Sequence, residues 1–118
     1  MTSPSLEHTL TSREFFAKSA GALVQDGLLQ ASEKGWDAAA YMVKTIAGGC
    51  GWQHSGHREL YQAVDRLAAR SGDPEIRVLF DSASALHSNF YAGWMPREMI
   101  ASSLAQAGLF LRKLEGHS

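Results

Sequence analysis

The segment LLQASEKGWDAAAYMVKTIAG, at residues 28–48, decides the fold that the sequence predicts. Its core-facing positions recur at alternating three- and four-residue steps: Leu29, Ser32, Trp36, Ala39, Val43 and Ile46. In an α-helix this spacing forms one stripe, which is buried against neighbouring helices. Gly35 is a weakness inside the pattern, because glycine costs a helix about 1 kcal/mol relative to alanine. Residues 28–48 therefore predict a long helix that packs against a core.

Four further helices are predicted around this one from the same periodicity and from turn residues. The first follows a candidate N-cap at Ser12 and ends at Gln25-Asp26-Gly27, a turn in which glycine can take a positive φ. The others are separated by glycine or proline and cover roughly residues 57–71, 74–92 and 96–114.

Short loops and the absence of any period-2 strand pattern complete the fold prediction. Asp73 is expected to cap the fourth helix, with Pro74 at its first position, where the missing N–H is harmless. Because the loops are short, sequential helices should pack antiparallel. We predict an all-α, up-and-down antiparallel bundle of five helices. It forms a single domain over residues 12–115, behind a flexible N-terminal arm at residues 1–11.

Charge and cysteine content exclude several classes of protein. The 118 residues include 11 basic and 12 acidic side chains, for a net charge of −1. This balance argues against a strong, non-specific nucleic-acid binder, although it leaves room for a small basic site. Cys50 is the single cysteine, so no intrachain disulfide can form and a reducing compartment is expected. Because the sequence shows neither a secretory signal nor a bilayer-spanning apolar run, we predict a cytoplasmic protein without membrane contact.

A polar stripe on the second helix is the first candidate for chemistry. Glu33, Asp37 and Lys44 project within about 40° of one another at 100° per residue, beside Trp36. One interpretation is a solvated flank with helical ion pairs, which contribute a few tenths of a kcal/mol. The other is the lip of an inter-helix groove, in which Lys44 meets an anionic ligand.

His87 is the second candidate, because it falls inside the apolar arc of the fourth helix. A lone histidine in such a position is commonly a buried residue with one hydrogen bond. Alternatively, His87, Asn89 and Tyr91 at a helix end bind or polarise a phosphate or a base. Asn89 points to another side of the helix, which argues against one tight cluster.

The loop between the second and third helices contains Cys50, His54 and His57, which superficially suggest a metal site. The spacing matches no standard zinc pattern and a fourth ligand is missing, so we predict no metal. His57 is expected to cap or pack at the start of the third helix, and Trp52 to hold the loop against the core. Phosphate-cradling loops, nucleophile elbows and paired cysteines are absent, and we predict no cofactor.

Several segments together resemble the HEPN superfamily of helical domains. QASEKGW at residues 30–36, followed by Ala39, Lys44 and Ala47, looks like the second helix of these proteins. The tryptophan and LHSNFY at residues 86–91 look more specifically like the PaREP branch, first noted in archaea. His57 with Leu60 is similar to the start of the family's third helix, and residues 94–96 take the place of its Arg-Tyr-Pro. The resemblance covers most of residues 12–114.

This resemblance implies a helical bundle that commonly dimerises. Many HEPN domains bind nucleotides or RNA, act with a nucleotidyltransferase-type partner protein, or cut RNA with an arginine and a histidine a few residues apart. His87 could match that histidine. The matching arginine positions hold Phe80, Asp81 and Ser82, and Arg77 lies one helical step too far back. Without that cation little stabilises the transition state, so the resemblance favours a non-catalytic module.

Three hypotheses follow for the function. The first is a non-catalytic, HEPN-like homodimer that binds a nucleotide, an RNA segment or a protein partner. The second is a divergent, metal-independent ribonuclease that uses His87, with Tyr91 or Lys44 assisting. The third is a purely structural oligomerisation module with Phe15, Trp94 and Leu109 as its surface. The candidate ligand-binding residues are Glu33, Trp36, Asp37, Lys44, His57, His87, Asn89 and Tyr91.

Overall fold

The computed structural model describes residues 6–115 of the chain, with side chains from Thr11 onward. It contains five helices: α1 (Leu6–Val24), α2 (Leu28–Gly49), α3 (His57–Ser71), α4 (Glu75–Ala92) and α5 (Arg97–Glu115). Residues 6–115 include no strand, and the bundle measures 38 × 25 × 24 Å. The predicted all-α bundle of five helices is confirmed. Within the same residues, no helix combines the length and apolar character that crossing a bilayer requires.

The first helix starts earlier than predicted. It begins at Leu6, and Ser12 lies fully buried inside it instead of capping its end. The physical reason is that residues 6–11 contain neither glycine nor proline, so nothing interrupts the helix before Ser12. The predicted arm at residues 1–11 thus overlaps α1, whereas residues 1–5 lie outside the described part of the chain. The predicted domain limits stay a prediction.

The long helix α2 is the centre of the bundle, since it contacts all four other helices. Helices α1 and α4 run antiparallel to α2: Ser19 of α1 bonds to Ala31 over 2.7 Å, and Asn89 near the end of α4 bonds to Ser32 near the start of α2.

Helix α3 runs in the same direction as α2, because its first residue lies on Trp36 and its later arginines lie over Trp52, beyond the end of α2. The predicted antiparallel packing of sequential helices therefore does not extend to α2 and α3, since the loop at residues 50–56 leads the chain back along α2.

Trp36 of α2 also packs on Phe80 of α4. Phe80 in turn packs on Phe110 of α5, with ring centroids 5.4 Å apart. The largest fully buried side chains are Phe80, Phe110, Met42, Ile46, Leu67, Ile76, Leu86, Ile100 and Leu114.

Gly35 acts as a packing position, and not only as a weak point of α2. A Cβ atom at Gly35 would collide with Leu104 Cδ2 of α5 and lie 3.1 Å from Leu86 Cδ1 of α4. The missing side chain therefore lets two neighbouring helices approach the α2 backbone closely.

One predicted core-facing residue, Leu29, is exposed instead, as is Val24 before it. Val24 is 79% exposed and Leu29 is 47% exposed, because both lie beside the α1–α2 turn at the end of the bundle. In that turn Asp26, not Gly27, takes the positive φ, of 59°. Arg97 holds this conformation: its Nε donates to Asp26 Oδ1 over 2.9 Å and its Nη2 donates to the Leu23 carbonyl over 3.0 Å. Periodicity identifies the face of a helix but not where its neighbour stops.

The start of α4 follows the predicted capping chemistry. Asp73 Oδ1 accepts the backbone N–H of Glu75 over 3.1 Å, and Pro74 lies between them. Lys113 Nζ binds Asp73 over 2.7 Å and Glu75 over 3.1 Å, which ties this end of α4 to the last turn of α5. The cap predicted from Asp73-Pro74 is therefore present.

Candidate functional site

Three helices bring four rings into contact at one side of the bundle. We call Trp36 of α2, His57 of α3, and His87 and Tyr91 of α4 the ring cluster. The imidazole of His57 lies parallel to the indole of Trp36, with centroids 5.1 Å apart and planes inclined by 3°. His87 contacts both, at 4.9 Å from Trp36 and 4.7 Å from His57, and its other neighbour is Tyr91 at 5.1 Å. All four are residues that the sequence predicted for ligand binding.

The ring cluster runs from the core to the surface. Trp36 is only 6% exposed, and Phe80 supports it from the core side. His87 is half-buried, whereas His57 is exposed and Tyr91 is 76% exposed. The cluster thus rests on the buried ring of Trp36 and exposes the rings of His57 and Tyr91. These two exposed rings offer aromatic surface to a flat ligand.

The start of α3 determines where His57 lies. Glu59 Oε1 accepts the backbone N–H groups of Ser55 over 2.9 Å and of Gly56 over 3.3 Å, and it also accepts the Ser55 hydroxyl. The bonds from Ser55 hold the pKa of the Glu59 carboxyl below its usual value. This capping arrangement begins the helix at His57 and fixes its ring on the indole of Trp36. The prediction that His57 packs at the start of the third helix is confirmed.

One carboxylate of the predicted polar stripe, Asp37, lies close enough to the ring cluster to affect His87, and Glu33 lies beside Asp37. Lys34 Nζ lies 3.9 Å from Glu33 Oε1 and 4.0 Å from Asp37 Oδ2. Burial and then repulsion by Glu33 raise the pKa of the Asp37 carboxyl, while Lys34, His87 and Lys44 act in the opposite direction. Asp37 and His87 therefore shift each other's pKa: His87 lowers the pKa of Asp37, and Asp37 raises the pKa of His87. The pairs with Lys34 agree with the interpretation of a solvated flank. The interpretation of a groove in which Lys44 meets an anionic ligand stays a prediction.

Lys44 lies two helical turns beyond Asp37 and is exposed. The ion pairs among residues 11–115 do not include it. Its ammonium group is thus available to an anionic ligand near the carboxylates.

Asn89 does not join the ring cluster. It is 1% exposed, its Nδ2 donates to Ser32 Oγ over 2.9 Å, and its Oδ1 accepts the backbone N–H of Met95 over 2.6 Å. Both polar ends are used inside the protein, where they connect α2, α4 and the loop after α4. The predicted ligand-binding role of Asn89 is corrected to a structural one, because its side of α4 faces α2 and not solvent.

The loop after α2 contains an arrangement that sequence reasoning missed. Trp52 packs against the core as predicted, but two guanidinium groups also lie over its indole. The Cζ atoms of Arg66 and Arg70 are 5.3 Å and 5.6 Å from the indole centroid. The four-residue spacing of Arg66 and Arg70 predicts that they share one face of a helix. The sequence did not predict that the loop after α2 would place Trp52 against that face. In the described residues, no three metal-ligating side chains gather to hold an ion.

Another groove lies between α1 and α5. It encloses about 280 Å³, and its lining includes Phe16 and Gly108. The Arg13–Glu115 ion pair, with bonds of 2.6 Å and 3.0 Å, spans its rim. None of the predicted site residues lines this groove, so it adds nothing to the ring cluster.

Helix order, packing and the ring cluster together define a class: a five-helix bundle with a group of aromatic and imidazole rings that extends from the core to the surface. The sequence profile of the Archaeal PaREP1/PaREP8 family matches residues 8–110, and the chain belongs to this family. The crystal structure of a Sulfolobus solfataricus protein is similar, with 19% identity, 90% of this chain and 97% of that chain covered, and a TM-score of 0.72. That likeness shows the fold alone.

The search of curated proteins gives no match. The PaREP-like part of the resemblance is therefore confirmed by the family profile. The wider HEPN relationship stays a prediction.

Contact between the two imidazoles makes the pKa of His87 a direct probe of the ring cluster. Burial lowers the pKa of His87, His57 lowers it further, and Asp37 opposes both. We expect His57→Ala to raise the pKa of His87 toward the ordinary histidine value and Asp37→Asn to lower it. Histidine NMR titration measures both shifts. A pKa of His87 unchanged by His57→Ala would contradict the contact.

The sign of the effect on stability follows from the same shift. A histidine whose pKa is lower in the folded state is neutral in both states at high pH, so it then adds no pH dependence. As pH falls below the unfolded-state pKa, the unfolded chain takes up the proton first and stability decreases. His87→Gln should reduce this loss between the two pKa values.

Proposed function

We propose that the chain is a non-catalytic, HEPN-like cytoplasmic binding module whose ring cluster accepts a nucleobase, either of a free nucleotide or of an RNA segment. The observation that carries the proposal is the parallel stack of His57 on Trp36. Trp36, the inner ring of this stack, is buried against the core, and His57, the outer ring, is exposed. A ring held flat at the surface is a stacking platform for a base, which contributes about 1–3 kcal/mol per stacked base.

The groups around the ring cluster fit the edges of such a ligand. Carboxylate oxygens accept hydrogen bonds only, so Asp37 and Glu33 match the exocyclic amino groups of adenine, cytosine or guanine. Lys44 is exposed and outside the ion pairs, which suits a phosphate of the same ligand. Tyr91 adds a second exposed ring beside His87.

The spacing of the two histidines supports binding without cleavage. Their centroids are 4.7 Å apart, which leaves no room for a phosphate between them as acid and base. The charges that shift the pKa of His87 come from His57 and Asp37, and neither provides a fixed cation. Arg77, the nearest upstream arginine, forms an ion pair with Asp65. A developing phosphorane charge at His87 would therefore lack a stabilising arginine.

Calorimetric titration with the four ribonucleoside monophosphates and with octaribonucleotides tests the proposal. His57→Ala should weaken binding about 5- to 30-fold, the equivalent of roughly 1–2 kcal/mol of lost stacking. His57→Phe keeps a flat ring and is the matched control, so it should bind within about threefold of wild type. If no nucleotide or RNA gives heat with wild type, the proposal fails and protein partnering remains. Equal affinities for wild type and His57→Ala would place the ligand elsewhere.

We also propose a homodimer, as the resemblance implies. Exposed apolar side chains near the α1–α2 turn and the α4–α5 loop support it, with Leu29 47% and Trp94 49% exposed. Of the three residues first considered for such a surface, Phe15 and Leu109 pack against the core and Trp94 stays exposed. Light scattering of the calorimetry samples measures the mass, and a monomer would contradict this part.

A further inference from the structure

We infer that Trp52, Arg66 and Arg70 form a second binding site, which holds the phosphodiester backbone of an RNA strand whose base occupies the ring cluster. We call these three residues the arginine–tryptophan site. The inference rests on the proposed function and makes it more specific, because it selects an RNA segment over a free nucleotide.

The geometry of the arginine–tryptophan site is well defined by the loop. The backbone N–H of Trp52 donates to the Ala47 carbonyl over 2.8 Å, and the indole packs against the core. Arg66 and Arg70 lie one turn apart on α3, with their Cζ atoms 5.3 Å and 5.6 Å from the same indole centroid. A guanidinium held over an indole keeps its plane fixed and its N–H edge available for paired bonds to phosphate oxygens.

Charge compensation is missing at this point of the surface. Ion pairs among residues 11–115 use Arg13, Lys34, Arg77, Arg97 and Lys113 as their basic members, and none uses Arg66 or Arg70. Of the two acidic residues of α3, Asp65 pairs with Arg77. The Glu59 carboxylate is hydrogen-bonded to Ser55 and keeps its negative charge, and it forms no ion pair with Arg66 or Arg70 within 4 Å among the described residues. The site therefore presents two exposed positive charges in a chain whose net charge is −1.

A polar cavity adjoins Trp52 and Arg66. It encloses about 210 Å³, and its lining includes Trp52, Gln53, Gln62 and Arg66. The amide groups offer both hydrogen-bond donors and acceptors, which suits sugar hydroxyls and bases next to a bound phosphate. Glu59 also lines this cavity, and its carboxylate is already bonded to Ser55 and Gly56.

Helix α3 connects this site with the ring cluster. His57 of the ring cluster is its first residue, and Arg58 follows directly. At 1.5 Å per residue, Arg66 and Arg70 lie about 12 Å and 18 Å along the axis from Arg58. The three arginines project within about 120° of one another, so they share one side of the helix. On the same wheel His57 projects about 100° from Arg58 and about 180° from Arg66. A single strand that leaves the ring cluster would therefore cross the outward side of α3 at Arg58 before it reaches Arg66 and Arg70.

Nucleic acid fits these features better than an acidic peptide or a lipid surface. A strand alternates flat bases with phosphates, and here a ring platform and guanidinium groups are joined by one helix. Each phosphate contact on a single strand contributes roughly −0.7 to the slope of log K against log salt. The inference therefore makes a quantitative prediction about salt as well as about affinity.

The test compares the double variant Arg66→Gln/Arg70→Gln with wild type by calorimetry, using an octaribonucleotide and the tightest mononucleotide. We expect at least a tenfold loss of octamer affinity at about 0.05 M salt and a salt slope smaller in magnitude by about 1.4. Mononucleotide affinity should change less than twofold. The matched control removes two exposed charges outside α3, in Lys18→Gln/Arg112→Gln, and should bind the octamer like wild type.

The remaining outcomes distinguish failure of the arginine–tryptophan site from failure of the base-stacking proposal. If wild type fails to bind the octamer, or if the two double variants behave alike, the arginine–tryptophan site is wrong even when mononucleotides bind. If octamer binding depends on Arg66 and Arg70 while mononucleotides do not bind and His57→Ala has no effect, the base-stacking proposal is wrong. The placement of the strand's base in the ring cluster is then wrong too, and only the phosphate contacts of Arg66 and Arg70 stand. Equal affinity for a polyglutamate peptide would assign the site to acidic proteins. Circular dichroism verifies that each variant is folded.

Discussion

Replacing Asn89 with alanine should lower the free energy of unfolding by about 2–4 kcal/mol. Asn89 is 1% exposed and accepts the backbone N–H of Met95, which is itself buried. Without the amide oxygen, this N–H has no partner in an apolar surrounding, which costs about 1–3 kcal/mol. The lost bond to Ser32 and the space left by the amide add to this cost. Urea denaturation followed by circular dichroism measures the change.

Two further variants separate the contributions. Ser32→Ala removes the partner of the Asn89 amide nitrogen but leaves the Met95 bond intact, so it should cost only about 1 kcal/mol. In the double variant, the cost should be smaller than the sum of the two single costs, because they share one hydrogen bond. A cost below about 0.5 kcal/mol for Asn89→Ala would show that Met95 finds another acceptor, and the structural role would then be wrong.

Gly35→Ala should destabilise the protein by about 1–3 kcal/mol, although alanine is the better helix former. The helix propensity gain is about 1 kcal/mol, but the new methyl group must displace Leu104 and Leu86 in a packed core. Gly21→Ala is the matched comparison, because that glycine lies inside α1 and a Cβ there meets nothing within 4 Å. It should stabilise the protein by roughly 0.5–1 kcal/mol.

The two variants should change stability in opposite directions, so the comparison is decisive. A double variant tests whether the collision with Leu104 is the cause. Removing the Leu104 side chain beyond Cβ, in Gly35→Ala/Leu104→Ala, should cost less than the sum of the single changes, since the collision disappears. If Gly35→Ala raises the unfolding temperature as Gly21→Ala does, the close approach of α5 to α2 is wrong. Thermal unfolding is sufficient to decide this.

Much of the fold was predictable, because helix periodicity and chain breaks are local properties. The limits of α3 were predicted as observed, since Gly56 and Gly72 flank it and Gly72 takes a positive φ of 68°. The start of α1 was missed because no residue before Ser12 interrupts a helix. The exposure of Leu29 was missed because it depends on where a neighbouring helix ends, which sequence spacing does not encode.

The candidate site was predictable residue by residue but not as an assembly. Wheel positions placed Glu33, Asp37 and Lys44 on one stripe and His87 beside the core. That His57 would cover Trp36 and contact His87 depends on the packing of three helices. The burial of Asn89 and the approach of Arg66 and Arg70 to Trp52 likewise depend on tertiary structure.

The central position of α2 separates the parts of the chain that can vary from those that cannot. A substitution on a buried face of α2 affects its packing against all four other helices, whereas α3 contacts only α2 and α4. The outward side of α3, with Arg58, Arg66 and Arg70, is exposed and supports no other helix. Substitutions on the outward side of α3 can therefore change the charge of this surface while leaving the packing of the bundle intact.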